Sequence, residues 1–174
     1  MIVTNDAAQY ERLLAMRSHG SKPKYYHKFV GGNFRLDPIQ AAVLLVKLSH
    51  LDSWSEARRN HAAIYNKMFA GSQIVTPFIH PDGVSIYNQY VIRVANRDEL
   101  VKHLKSEQIG NEIYYPLPLH LQECFADLGY KKGDLPESEK AAEQVLALPV
   151  YPELSQEQLE HVGKTILAWA SETH

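Results

Sequence analysis

Between residues 38 and 69 the chain has no glycine and only its first residue is proline, while apolar side chains recur at helical spacing. Ile39, Val43, Val46, Leu51 and Trp54 fall near one stripe, which Ile64, Tyr65, Met68 and Phe69 continue. That period predicts a helix with a buried face. Asp37 is placed to cap the first free N–H groups, and Pro38 suits the first helical position, where its missing donor costs nothing. Thirty-two residues at a rise of about 1.5 Å would reach about 48 Å, long for one globular helix, which leaves room for a bend near Leu51-Asp52-Ser53.

The pattern is different on either side. Residues 1–4 fit the end of a strand, and Asn5 or Asp6 then caps a helix running to Arg17, with Tyr10, Leu13, Leu14 and Met16 available for burial. Residues 18–29 read as a loop, ended by His19-Gly20 and kept from helix by Pro23. Residues 86–95 alternate, with Ile86, Tyr90, Ile92 and Val94 on one face, and predict a strand. Asn96 with Glu99 reads as a capping box for a helix through Leu100, Val101 and Leu104, and a second strand is predicted over 111–115. Pro116 and Pro118 must leave the sheet. Helices follow over 121–128 and 137–146, then an extended stretch over 148–152. Ser155 and Gln158 form a second capping box for a last helix with Leu159, Val162, Ile166 and Trp169 on its inner face. The predicted class is α/β, of the kind of an α+β-like small domain: a long helix packed with a small, mainly antiparallel sheet and C-terminal helices.

Composition narrows the functions. Of 174 residues 45% are hydrophobic, enough for a core, and the net charge of −2 argues against a general nucleic-acid or anionic-membrane binder. The basic-aromatic run Lys22-Pro23-Lys24-Tyr25-Tyr26-His27-Lys28 reads as a solvated loop in that neutral setting. The single cysteine, Cys124, allows no internal disulfide; beside Phe125 it reads as a core residue. No apolar run reaches the length of a membrane span, and no signal-peptide pattern opens the chain, so a cytoplasmic location is expected. Nine histidines show no metal-ligand spacing, and no nucleophile-elbow sequence supports Ser-His-Asp chemistry.

One combination of motifs is more specific. Arg17-Ser18-His19-Gly20, Tyr26-His27, Gly32-Asn33-Phe34-Arg35, Gln40-Ala41-Ala42 and a long helix carrying Arg58-Arg59 and Tyr65 together resemble the DegT/StrS sugar aminotransferases. These are fold-type-I enzymes that use pyridoxal phosphate. Ile2-Val3-Thr4-Asn5-Asp6 looks like the strand following the cofactor-bearing lysine, and Leu148-Pro149-Val150-Tyr151-Pro152-Glu153-Leu154-Ser155 looks like the family's C-terminal signature. The resemblance spans nearly the whole chain. It implies that the Schiff-base lysine, the partner of the pyridine nitrogen and the ring-stacking residue all precede the first residue here. The chain then corresponds to the C-terminal half of such an enzyme. Residues 1–37 would be a remnant of the large cofactor domain with an interface loop, and 38–174 the small domain with its connecting helix.

The resemblance also assigns residues. Asn33 matches the asparagine that reaches the phosphate of the neighbouring subunit's pyridoxal phosphate, and Arg35 the residue near the amino-donor carboxylate. An amide donor and a bidentate cation suit those anions. Two glycines ahead of the loop and a helix N-terminus behind it suit the same role. Tyr114, Tyr115 and His120 match the segment lining the nucleotide-sugar side of the cleft; the competing reading is that Tyr114 belongs to the core and Tyr115 covers a loop. His19, Tyr26 and His27 read as support for the first loop. No catalytic residue and no metal ligand is expected here. Three functions stay open: part of an aminotransferase for nucleotide-linked keto-sugars, inactive alone; a stand-alone non-catalytic binding or assembly module; and an independent enzyme of another kind. The expected partner is a second copy or a complementary large-domain polypeptide. Phe29, Val30, Phe34, Leu44 and Leu48 are expected to form an exposed apolar patch.

Overall fold

The computed structural model describes residues 2–172. It is rich in helix, with one small antiparallel sheet. Backbone contacts divide the chain between His50 and Leu51. That division falls at an interruption of the helical stretch predicted over residues 38–69.

In the first unit α1 spans Ala7–Met16, and Asp6 Oδ1 accepts from the N–H groups of Ala8 and Gln9. Residues 2–4 form no strand, and Met1 lies outside the described residues. Tyr10 is exposed, and Ala15 is the residue that α1 buries. Helix α2 spans Pro38–Leu48 and begins as expected, with Pro38 in the first turn and the Asp37 N–H donating to Gln40 Oε1 at 3.4 Å. It stops at Ser49, whose hydroxyl donates to the Val46 carbonyl at 2.7 Å, and the His50 N–H goes to Lys47. A side-chain hydroxyl competing for the backbone carbonyls ends the ladder two residues before the expected bend.

The second unit holds the core. Helix α3 spans Leu51–Phe69, and Gly71, at φ +77°, turns the chain after it. Strand β1, Tyr90–Arg93, pairs antiparallel with β2, Val145–Leu148, in the register Tyr90↔Leu148 and Ile92↔Leu146. Those four side chains are all buried. Helix α4 spans Arg97–Ser106, α5 Pro136–Gln144 and α6 Gln156–Glu172. Two short 3₁₀ turns, Leu119–Leu121 and Glu123–Leu128, connect β1's half to α5. Helix α6 packs on both α3 and α4, burying Leu159, Val162, Ile166 and Trp169 as its spacing requires. Gly163 lets it approach α3, where any added Cβ would run into Met68. The Ser155 capping box is made in both directions, at 3.0 and 3.2 Å.

Four expectations are corrected. The second strand is not residues 111–115, which contribute one bridge, Glu112 to Ala147; it is Val145–Leu148, where the sequence predicts the end of a helix at Leu146 and an extended stretch from Leu148. The first strand is four residues long, and Ile86 is exposed. Asn96 precedes α4 without a side-chain cap bond. Cys124 is exposed, because its 3₁₀ turn buries none of its residues. Among the described residues no helix is long and apolar enough to cross a membrane, and no three metal-ligating side chains cluster.

Candidate functional site

Two groups of candidate residues exist, one in each unit. In the first unit the loop after α1 is folded back on the helix end. His19 N–H bonds the Gly32 carbonyl at 2.9 Å, Gly32 N–H the Met16 carbonyl at 3.0 Å, and Phe34 N–H the Arg17 carbonyl at 3.0 Å. Gly31 lies so close to Gly20 that a Cβ would meet the Gly20 nitrogen and the Met16 carbonyl, and this close approach explains the glycine there. His27 Nδ1 sits 2.8 Å from the His19 carbonyl and donates to it, so this pair braces the loop.

The ladder presents Asn33 and Arg35 side by side. Arg35 Nε donates to Asn33 Oδ1 at 3.0 Å, and both side chains are exposed. That bond takes one lone pair of the amide oxygen and leaves the Asn33 NH2 and the outer guanidinium nitrogens as a surface rich in donors. Such a surface fits an oxyanion such as a phosphate or a carboxylate.

In the second unit Tyr114, Tyr115 and His120 come together around one open cavity of about 610 Å³. Its walls are mainly apolar, from Pro116 to Leu119 on one side and Leu135, Ala141 and Ala142 on the other, with Gln122 and Ser138 as polar additions. The two tyrosine rings meet edge to face, with centroids 5.9 Å apart. Tyr114 is not core: it is exposed and also lines a neighbouring cavity of about 330 Å³, beside Asn88, Asn111 and Glu112. An apolar wall with a few polar groups is the usual form of a small-molecule site, and two tyrosine faces suit a sugar or a base.

His120 is the buried polar member, 8% exposed. Its Nε2 lies 3.0 Å from Glu139 Oε1, and that oxygen also accepts the Gly133 N–H at 2.7 Å. These bonds hold the Glu139 carboxyl below the usual carboxylate range, the Gly133 N–H contributing most, then His120. Tyr130 stands edge-on to the imidazole, at 6.3 Å. Glu139 escaped the sequence reading. It is one charge among several on α5, and nothing in the chain between residues 120 and 139 announces the pairing.

A family model described as the DegT/DnrJ/EryC1/StrS aminotransferase family matches residues 1–167. The chain is 51% identical over 169 residues to a pleiotropic regulatory protein of Geobacillus stearothermophilus, covering 95% of this chain and 45% of that protein. It is 40% identical over 170 residues to the dTDP-3-amino-3,4,6-trideoxy-alpha-D-glucose transaminase of Streptomyces venezuelae, covering 97% and 45%. Among solved structures, S. venezuelae DesV in complex with a ketimine intermediate is similar with a TM-score of 0.89 at 40% identity, over 97% of this chain and 46% of that one. A Brucella abortus aminotransferase of the same family gives 0.85 at 36% identity, over 96% and 45%. The chain thus spans about half the length of the curated relatives it matches.

Proposed function

Because the chain belongs to the DegT/DnrJ/EryC1/StrS aminotransferase family, we propose that it is the C-terminal portion of a pyridoxal-phosphate-dependent aminotransferase acting on nucleotide-linked keto-sugars. Relatives named as transaminases of dTDP- and UDP-linked sugars support the substrate class. The observation that carries the reading is the Asn33–Arg35 pair: two side chains bonded to each other on an exposed loop, with the Asn33 NH2 and the outer guanidinium nitrogens left as donors. In this reading the Asn33 amide donates to the phosphate of a cofactor held by the neighbouring subunit, and Arg35 pairs with the carboxylate of the amino donor. Tyr114, Tyr115 and His120 line the place of the nucleotide sugar. When bound, the cofactor supplies an electron sink for the carbon that loses or gains the amine. Residues 1–37 belong by descent to the large domain and residues 38–174 to the small one, and the setting is cytoplasmic.

The resemblance matches no residue of this chain to the Schiff-base lysine, so the chain is inactive alone. The exposed apolar side chains of the first unit, among them Val30, Phe34, Leu44 and Leu48, are the face that the remaining half of the family fold covers. Alone, the chain associates with a second copy through the same face. A stand-alone, non-catalytic assembly module is the second reading, favoured by a helix, α2, that buries none of its residues.

The test is borohydride reduction of the chain mixed with pyridoxal phosphate, followed by peptide mass spectrometry. The expected result is no lysine carrying a pyridoxyl group at one per chain, and no transamination. A single lysine labelled at defined stoichiometry overturns the proposal of inactivity.

A further inference from the structure

We propose that Glu139 is a positioning residue of the 610 Å³ cavity, fixing His120 in the tautomer that leaves Nδ1 as a bare acceptor for a hydroxyl of the ligand. The ligand part of this rests on the nucleotide-sugar reading above; the tautomer part does not.

The argument starts from α5. Ser138, Ala141, Ala142 and, just past its end, Val145 recur at helical spacing and form one wall of the cavity. Glu139 is the next position round the helix, away from that wall, and it does not line the cavity. It reaches His120 at 3.0 Å, and His120 does line the cavity. The Glu139 carboxylate only accepts, so the nitrogen facing it carries the hydrogen. In a neutral imidazole the other nitrogen then has the lone pair, since one ring nitrogen's hydrogen bond decides the state of the other. Nδ1 has no partner among the described residues and is not an enclosed orphan. It is the acceptor left over.

The second contact of Glu139 makes the aim firm. Its Oε1 is shared with the Gly133 N–H at 2.7 Å, and the turn there is closed by Asp134, whose Oδ2 accepts the Lys131 N–H at 2.8 Å. Tyr130 from the same turn stands at nearly a right angle to the imidazole. The carboxylate is therefore held from one side by backbone and from the other by the ring, and neither can rotate independently. In a lining that is otherwise mainly apolar, with Gln122 and Ser138 as its other polar side chains beside the tyrosine hydroxyls, a fixed acceptor chooses among ligands by the presence of a correctly placed donor. Neutral polar selection of this kind is strong, because a ligand lacking the donor leaves the buried group unpaired.

The experiment uses the full chain with Glu139→Gln and Glu139→Ala. Because the Gly133 N–H and His120 Nε2 share one oxygen, a glutamine oxygen in that place still accepts from both, whereas alanine removes the acceptor. Long-range ¹⁵N–¹H spectra of the neutral imidazole are expected to show hydrogen on Nε2 in the wild type and in Glu139→Gln, and a mixture of tautomers in Glu139→Ala. Binding of UDP-glucose, used as the probe, is expected to be kept in Glu139→Gln and to weaken about 10-fold in Glu139→Ala, the size of one lost hydrogen bond. A wild-type imidazole carrying hydrogen on Nδ1, or a tautomer that Glu139→Ala leaves unaltered, overturns the positioning role whatever the ligand does. The expected tautomers with no UDP-glucose binding to any of these proteins uphold the positioning and overturn the nucleotide-sugar reading of the cavity.

Discussion

Helices α2 and α6 are both amphipathic or better, yet they spend their apolar residues in opposite ways. Helix α6 buries six of its seventeen residues, Leu159, Val162, Gly163, Ile166, Trp169 and Ala170, on α3 and α4. Helix α2 is the more apolar of the two by sequence, Pro-Ile-Gln-Ala-Ala-Val-Leu-Leu-Val-Lys-Leu, and buries none of its eleven. Ile39 stands 82% exposed. A helix apolar on every side is ordinarily an interior helix. The difference teaches that α6 is scaffold, its apolar face covered by α3 and α4, whereas the apolar residues of α2 are left uncovered by the described residues, as the proposed contact with a second body of protein requires.

Substitution should separate the two. Ile166→Ala removes a fully buried side chain from the middle of the core and is expected to cost about 2–5 kcal/mol in urea unfolding. Leu44→Ala removes as much apolar surface from a half-exposed position and should stay within about 0.5 kcal/mol. Leu44→Glu should leave unfolding similarly unchanged and weaken self-association in light scattering. Equal losses of stability at positions 166 and 44 would break the comparison.

Charge sharpens the same contrast. Arg97 in the second unit is buried, and its Nη1 donates to the carbonyls of Ala142 and Val145, both at 3.1 Å, at the junction of α5 with β2. It ties the start of α4 to the start of the strand. Arg97→Met keeps much of the side-chain volume and leaves one enclosed carbonyl and one partly enclosed carbonyl without a donor, an expected loss of about 2–3 kcal/mol. Unfolding as stable as the wild type would mean that water replaces the guanidinium there, and that the junction does not need it.

How much of this could be read from the sequence follows the same line. The α6 inner face and its Ser155 box were legible, because spacing and capping are local and the burial that they imply is supplied by this chain. The helix start at Asp37-Pro38 was legible for the same reason, and helix length alone suggested a bend, but its place at Ser49 was missed by two residues, since serine in a helix is only weakly disfavoured. Strand β2 was hidden inside a helical pattern: Ala141, Ala142, Val145 and Leu146 keep the period, and only pairing with residues 90–93, some fifty positions earlier, turns Val145 into a strand residue. Asn33, Arg35, Tyr114, Tyr115 and His120 were found through a family pattern, and the structure brings the first two together in one unit and the other three together in the second. Glu139 shows no local pattern that links it to His120, and only the fold brings the two together.

The smallest effect on stability is expected where the proposed function is most concentrated. Asn33 and Arg35 bond to each other at 3.0 Å, and both are exposed. An exposed pair of this kind contributes little, because water serves each group almost as well as its neighbour does. Backbone bonds from His19, Gly32 and Phe34 hold the loop without either side chain. Asn33→Ala and Arg35→Ala should therefore each leave thermal unfolding within about 0.5 kcal/mol of the wild type. In an assembled enzyme containing the lysine-bearing half, the two should part company. Asn33→Ala is expected to loosen the cofactor, and Arg35→Ala to raise the Michaelis constant for the amino donor with little change in cofactor retention. A charge-assisted hydrogen bond is worth about 1.5–3 kcal/mol, which corresponds to roughly 10- to 150-fold in affinity. The alanine at 33 also frees the Arg35 Nε, so a modest rise in the donor constant should accompany the loss of cofactor in that variant alone. Marked destabilisation of the isolated chain with normal donor kinetics in the assembled enzyme would make the pair a structural clasp. The anion surface would then have to lie elsewhere on the unit.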